Sequence, residues 1–235
     1  YVQPKVDMHN GHIIGGEALV RWQNDKEMIY PDQFIPVLEK NGYVIDVDNF
    51  IWNKVCACIK MMEDKGIEPV PISVNVSRMH VYQEKFTENL KNMAGEYGID
   101  PKYIPLEITE SAFTKEEGSL FKKVQSLQGY GFKFSMDDFG SGYSSLGMLK
   151  SERVDEVKID KTFVDDIATD KGKVLLGNVI RMINELGIDM IAEGVETKEQ
   201  ADFLKENGCM YAQGYYYYKP MPIEEFAKLL ENSAR

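Results

Sequence analysis

Phe132-Lys-Phe-Ser-Met-Asp-Asp-Phe-Gly-Ser-Gly-Tyr-Ser-Ser145 decides how this chain is read. A β-rich apolar run ends in two adjacent carboxylates, Asp137 and Asp138, and a loop with Gly140 and Gly142 follows at once. Folding alone gives no reason for two acids at the end of a buried strand. Like charges side by side disfavour each other unless a cation lies between them. The stretch therefore predicts a metal site at the mouth of a barrel or sheet.

Working outward, the same event recurs: an apolar strand, a polar or charged residue, then a loop. Tyr1–Asp7 and Ile13–Trp22 read as strands joined by a turn at Asn10-Gly11. Further strands are expected at Pro71–Val76, Tyr103–Thr109, Phe132–Asp137, Glu156–Asp160, Asp189–Glu193 and Tyr211–Tyr217. Helical patterns separate them: Pro31–Lys40, Asp46–Asp64, Glu84–Tyr97, Lys115–Gly129, Ser144–Lys150, Lys171–Leu186, Thr197–Asn207 and Ile223–Asn232. Strand–helix alternation implies parallel pairing with right-handed crossovers. Some eight such units in this length predict an α/β fold, a (β/α)8 TIM-like barrel. The opening hairpin is irregular for that fold, because a short turn makes its strands antiparallel. An open doubly wound sheet is the alternative.

The bulk composition narrows the function. The chain has 235 residues and a net charge of −11. One domain, residues 1–235, fits that length. A field this acidic argues against binding long nucleic acid. The three cysteines, Cys56, Cys58 and Cys209, form no CxxC motif. They read as buried thiols in a reduced, cytoplasmic setting. The most apolar stretch, Val174–Ile191, is interrupted by Arg181, Glu185 and Asp189, so no bilayer span is expected. The chain opens on Tyr1 and enters a strand at once. We read it as a segment of a longer protein, whose other segments would carry any membrane anchor.

In a barrel, chemistry sits at the C-terminal strand ends. Those positions hold Glu17, Asn75, Glu107, Asp137, Asp138, Lys158, Glu193 and Gln213. Each alone has an ordinary structural explanation as a helix cap, a turn former or a solvated loop residue. Together they deliver polar groups from one apolar strand after another. Buried unpaired charge costs several kcal/mol per ion, so a cation partner is the economical account. An all-oxygen donor set selects Mg²⁺ or Mn²⁺ over zinc or copper. Lysine plus acids on barrel strands also suits proton abstraction beside a carboxylate. The Asp137–Asp138 pair and Asn75 fit two ions and phosphodiester hydrolysis better.

The motifs resemble one family in order and spacing. Glu17-Ala-Leu-Val-Arg-Trp22, Val74-Asn-Val-Ser77, Glu107-Ile-Thr-Glu-Ser111, Asp137–Ser145, Lys158-Ile-Asp160, Ala192-Glu-Gly-Val-Glu-Thr197 and Gln213-Gly-Tyr215 are similar to the EAL-domain signatures. The resemblance runs from Gln3-Pro4 to about Phe226. It implies a cyclic di-GMP phosphodiesterase on a barrel whose early strand runs antiparallel to the rest. The product would be linear pGpG.

The resemblance also implies roles. Glu17, Asn75, Glu107 and Asp137 correspond to ligands of a first metal, with Asp137 shared and Asp138 on a second. Lys158 corresponds to a lysine at the attacking water, Glu193 to a base or water-positioning acid, and Gln213 to the residue orienting them. Arg21 and Asp160, with Gln3 and Pro4, are assigned to the substrate. Glu110 corresponds to the acid anchoring the Asp138–Ser145 loop, which in the family links the metal site to a dimer face. Expected partners are cyclic di-GMP, a second copy in a homodimer, and other domains of a larger signalling protein, GGDEF or sensory. A catalytically silent cyclic di-GMP receptor is the alternative from another functional class. Degenerate relatives that take that role lose motif residues, whereas here all matched positions are intact.

Overall fold

The structure, a computed structural model, describes all residues except 25–26, 110–111, 113–116, 141–148, 150–153 and 234–235. The chain opens as a hairpin of β1 (Val2–Asp7) and β2 (Ile13–Ala18). Asp7 Oδ2 accepts from the Asn10 side chain, and Gly11 turns with φ 73°. A small ribbon, β3 (Trp22–Gln23) with β4 (Met28–Ile29), follows. Then come α1 (Pro31–Asn41), α2 (Val44–Asp64), β5 (Ile72–Asn75), α3 (Arg78–Val81), α4 (Phe86–Tyr97) and β6 (Leu106–Thr109). After these lie α5 (Glu117–Gln128), β7 (Phe134–Phe139), β8 (Glu156–Ile159), α6 (Lys161–Asp165) and α7 (Asp170–Glu185). The last elements are β9 (Asp189–Ala192), α8 (Lys198–Glu206), β10 (Tyr211–Ala212) and α9 (Ile223–Ser233).

The strands close into a barrel in the order β1-β10-β9-β8-β7-β6-β5-β2. β1 runs antiparallel to both of its neighbours, β2 and β10. The other pairs are parallel. The expected barrel with an antiparallel early strand is thus the observed fold.

Helix boundaries follow local chemistry. Pro31 occupies the first turn of α1, where its missing N–H costs nothing, and Gly42 ends the helix at φ 81°. Thr197 and Gln200 close a reciprocal capping box on α8. Along α2, Trp52, Val55, Cys56, Ile59 and Met62 recur at helical spacing and are buried against the barrel.

Strand alternation divides the molecule into two regions. One strand face meets the helices with Val74, Leu106, Ile108, Phe134, Met136, Val157, Ile159 and Met190, all buried. The other face lines the barrel interior with Gln3, Lys5, Glu17, Ser73, Glu107, Ser135, Asp137, Lys158 and Gln213, also buried. The apolar core is therefore a sleeve around the strands, and the lumen is polar.

The structure departs from the sequence reading in places. Tyr211–Tyr217 does not form one strand: pairing stops at Ala212 and the chain turns at Gly214. A Cβ on Gly214 would lie 2.1 Å from the Val195 carbonyl oxygen, so glycine is required there. Tyr215 and Tyr216 are consequently exposed. The Ile13–Trp22 strand ends at Ala18, and Trp22 belongs to the ribbon. Pro101–Tyr103 forms a 3₁₀ turn, so the next strand begins at Leu106. Apart from Leu149, the helix expected at Ser144–Lys150 lies outside the described residues.

Candidate active site

Lys158 stands at the centre of the lumen with its side chain 1% exposed. Its Nζ lies 3.2 Å from Glu17 Oε2, 2.7 Å from Glu107 Oε2, 2.9 Å from Asp137 Oδ1 and 2.8 Å from Glu193 Oε1. These carboxylates come from β2, β6, β7 and the residue after β9. Burial alone would lower the lysine pKa. The carboxylates, Glu107 foremost, reverse this and hold it well above the usual range. Lys158 is therefore locked as an ammonium.

A chain of amides fixes one side of this cage. Gln3 Nε2 donates to the Tyr218 carbonyl at 3.1 Å, and Gln3 Oε1 accepts from Gln213 Nε2 at 3.1 Å. Gln213 Nε2 also donates to Glu17 Oε2 at 2.6 Å, while Asn75 Nδ2 donates to Glu17 Oε1 at 3.1 Å. Asn75 is held from outside, since its carbonyl accepts from Trp52 Nε1 at 3.1 Å.

Asp137 and Asp138 reach the mouth through a bulge. The pairing of β7 with β8 runs from Met136↔Val157 to Phe139↔Ile159, so β7 carries one extra residue. Asp138 takes φ 56°, unusual for a residue with a side chain. A bulge re-aims side chains that strict alternation would send to opposite faces. Gly140 follows at φ 95°, where a Cβ would lie 2.0 Å from the Phe163 ring.

The lumen is short of positive charge. Burial, then Asp137, pushes the Asp138 carboxyl up. Burial first, against the pull of Lys158, pushes Glu193 up to about 8. Burial followed by Glu107 also raises Glu17. Glu107 goes the other way: burial would raise it, but Lys158 and Lys5 hold it at about 2.

These residues fit a divalent cation. Oxygens of Asp137, Asp138 and Glu193 lie within 4.8 Å of one another. Asp137 Oδ1 has the Lys158 ammonium at 2.9 Å, yet among the described residues no donor is aligned to hydrogen-bond it. Gln213 Oε1 is likewise buried without a hydrogen-bond partner among the described residues. Carboxylate and carboxamide oxygens suit hard ions.

The structure sorts the expected site residues unequally. Glu17, Asn75, Glu107, Asp137, Lys158, Glu193 and Gln213 are joined by the contacts above, and Gln3 joins them through Gln213. Pro4 sits one step out of phase with Gln3 and Lys5, on the face of β1 turned away from the lumen. Asp160 Oδ1 accepts from Thr162 N at 2.9 Å and caps α6. Arg21 donates to the Val20 carbonyl and stacks over Tyr30, 5.4 Å from the ring centroid. Glu110 lies outside the described residues.

Sequence reasoning missed Lys5. Its Nζ lies 3.0 Å from Glu107 Oε1 and 3.5 Å from Glu156 Oε1, with the side chain 6% exposed. It shares a strand face with Gln3, and that two-residue spacing was the available signal. Ser73, Ser135 and Glu156 likewise sit two residues before Asn75, Asp137 and Lys158, forming a lower polar layer.

Residues 1–220 match the family described as EAL domain. This chain belongs to the EAL domain family. Curated relatives of this EAL domain include the oxygen sensor protein DosP of Escherichia coli (strain K12), 35% identical over 95% of this chain and 28% of DosP. The probable cyclic di-GMP phosphodiesterase PdeG of the same organism is 33% identical over 98% of this chain and 46% of PdeG. The chain thus spans less than half the length of either relative. Among solved structures, the PaMucR phosphodiesterase in complex with c-di-GMP superposes with a TM-score of 0.90 at 32% identity. That match covers 96% of this chain and 92% of the other. The EAL domain protein from Listeria monocytogenes EGD-e gives a TM-score of 0.85 at 31% identity, over 99% and 92%. No helix among the described residues of this EAL domain is long and apolar enough to cross a membrane.

Proposed function

We propose that this EAL domain is a metal-dependent phosphodiesterase that hydrolyses cyclic di-GMP to linear pGpG. The observation that carries this reading is the charge imbalance of the lumen. Lys158 and Lys5 face Glu17, Glu107, Asp137, Asp138, Glu156 and Glu193. Glu17, Asn75, Glu107 and Asp137 would hold one Mg²⁺ or Mn²⁺ ion, with Asp137 and Asp138 holding a second. When bound, such ions supply an activated water and neutralise charge at phosphorus.

The protein's own groups then have distinct tasks. Water oxygen attacks phosphorus, the bond from phosphorus to the ribose 3′ oxygen breaks, and that oxygen takes up a proton. Lys158, at the centre of the carboxylates, positions the water and offsets charge developing on the phosphoryl oxygens. Glu193, 2.8 Å from the Lys158 ammonium and beside Asp137 and Asp138, is placed to take the water proton or to orient the water. Gln213 and Gln3 hold Glu17 in place. Arg21 and Asp160 line the route of the dinucleotide, and a second copy of the chain completes a homodimer in the cytoplasm.

Glu107→Ala separates an enzyme from a receptor. Turnover of cyclic di-GMP, read by chromatography, is expected to fall at least about a hundredfold, in line with loss of one strong electrostatic contact. Binding measured by calorimetry should persist. Undiminished turnover in this variant would overturn the assigned site. A wild-type protein that binds cyclic di-GMP without cleaving it would make the domain a receptor.

A further inference from the structure

The two oxygens of Glu107 are held by different lysines on different terms. Oε2 meets Lys158 at 2.7 Å, and Lys158 also contacts Glu17, Asp137 and Glu193. That side of Glu107 faces the carboxylates proposed to take the ions. Oε1 meets Lys5 at 3.0 Å, and the other ion pair of Lys5 is with Glu156 at 3.5 Å. Glu156 Oε1 in turn accepts from Ser135 Oγ at 2.8 Å. Lys5 thus belongs to the lower polar layer. Beneath it lies a cavity of about 280 Å³ at the N-terminal ends of the strands, lined among others by Lys5, Ser73, Ser135 and Glu156.

The lower layer constrains Lys5 tightly. Its side chain is 6% exposed, and its ammonium is held between Glu107 Oε1 and Glu156 Oε1 at the edge of that cavity. Its stem passes Gly15, where an added Cβ would come 3.9 Å from Lys5 Cδ and 2.8 Å from the Pro71 carbonyl oxygen. An ion arriving among the upper carboxylates can replace Lys158 at Oε2 without disturbing the Lys5 contact. To capture both oxygens it would have to break the Lys5–Glu107 pair and leave a buried ammonium with the longer contact to Glu156. Breaking a buried pair in that way is strongly unfavourable.

Cations differ in how much they need that second oxygen. Ca²⁺ takes a larger, flexible shell and commonly binds carboxylates through both oxygens. Mg²⁺ requires near-octahedral geometry and is content with single oxygens and water. Resting on the metal-dependent reading above, we propose that Lys5 is a specificity-determining residue of the ion site. By occupying Glu107 Oε1 it limits this ligand to one oxygen and so favours Mg²⁺ or Mn²⁺ over Ca²⁺. Lys5 acts through Glu107 and touches neither substrate nor reacting atoms.

Calorimetric titration of metal-free protein with Mg²⁺ and Ca²⁺, without nucleotide, tests this apart from activity. In Lys5→Met the ratio of Ca²⁺ to Mg²⁺ affinity is expected to rise about tenfold, the lower end of effects from residues behind a metal ligand. Lys5→Arg, which keeps a donor at Oε1, should restore the wild-type ratio. A ratio unchanged in Lys5→Met, or equal weakening of both ions, overturns the proposal and leaves metal dependence intact. Failure of the wild type to bind either ion overturns both readings. Should Lys5→Met not fold, a crystal structure of the wild type with Mn²⁺ decides. Glu107 bound through Oε2 alone, with Oε1 still on Lys5, supports the proposal, and two-oxygen coordination by Glu107 refutes it.

Discussion

The sleeve outside the barrel strands and the lumen inside them are built from alternate residues of the same strands, yet they obey opposite rules. In the sleeve, Leu106 and Ile108 are buried among apolar helix residues such as Val55, Ile59 and Leu90, and every contact favours folding. In the lumen, Glu107 stands between them in sequence, buried to the same degree, and needs two lysines to remain ionised. One face of β6 therefore stabilises the fold, while the other holds charge that folding alone would not select. The lesson is that stability and chemistry are separated by a single residue step.

The largest expected break in this contrast comes from Lys158→Met. Removing the ammonium leaves Glu17, Asp137 and Glu193 without their common partner. A buried charge network broken on one side loses about 3–5 kcal/mol. Denaturant unfolding of metal-free protein would register it, and added Mg²⁺ should recover more stability than it adds to the wild type. Equal Mg²⁺ effects on both proteins would contradict the charge-imbalance account.

Ile59→Ala probes the sleeve. Its side chain is fully buried on α2, so the variant should lose about 2–5 kcal/mol. The ion affinity of the folded protein should stay at the wild-type value. A changed affinity would show that the two regions are not separable.

A further effect follows from pH. Glu193 is raised from 4.5 to about 8 in the folded state. Its contribution is fully present below 4.5, where both states are protonated, and is lost as pH rises through 8. Glu107 is lowered to about 2, so its contribution exists above 4.5 and is lost as pH falls toward 2. Melting of metal-free protein should accordingly decline from pH 5 toward pH 8, and Glu193→Gln should flatten that slope. An unchanged slope would remove Glu193 as its origin.

The smallest effect expected is at the contact between the two regions. Trp52 in the sleeve donates to the Asn75 carbonyl. Trp52→Phe loses that bond, about 1 kcal/mol of stability. Its ion affinity should weaken only slightly, which titration calorimetry would measure.

Much of this arrangement was legible in the sequence because strand period and chemistry coincide. Asn75 and Glu193 stand where apolar runs end, Glu107 and Lys158 alternate with apolar neighbours late in their strands, and the structure joins them through Lys158 and Glu17. The antiparallel first strand was readable from the short Asn10-Gly11 turn. What alternation hides is the bulge that brings Asp138 alongside Asp137. Pairing register is a property of two strands, not of one. The lower layer was missed for a different reason. Lys5 and Glu156 lie inside strands, where a charged residue ordinarily points to solvent, and only the closed barrel turns that face inward. The ribbon Trp22–Gln23 with Met28–Ile29 is too short to show any period. The Tyr215–Tyr218 run has strand propensity, but the approach of Gly214 to Val195 forces a turn before it.

The most direct test of the central claim is product analysis of dialysed protein incubated with cyclic di-GMP, with Mg²⁺ or Mn²⁺ and in parallel with EDTA. A charge-deficient lumen completed by divalent ions predicts linear pGpG in the metal-containing samples and intact cyclic dinucleotide with EDTA. Equal cleavage with and without EDTA, or no cleavage by protein shown to bind both ion and nucleotide, would contradict it.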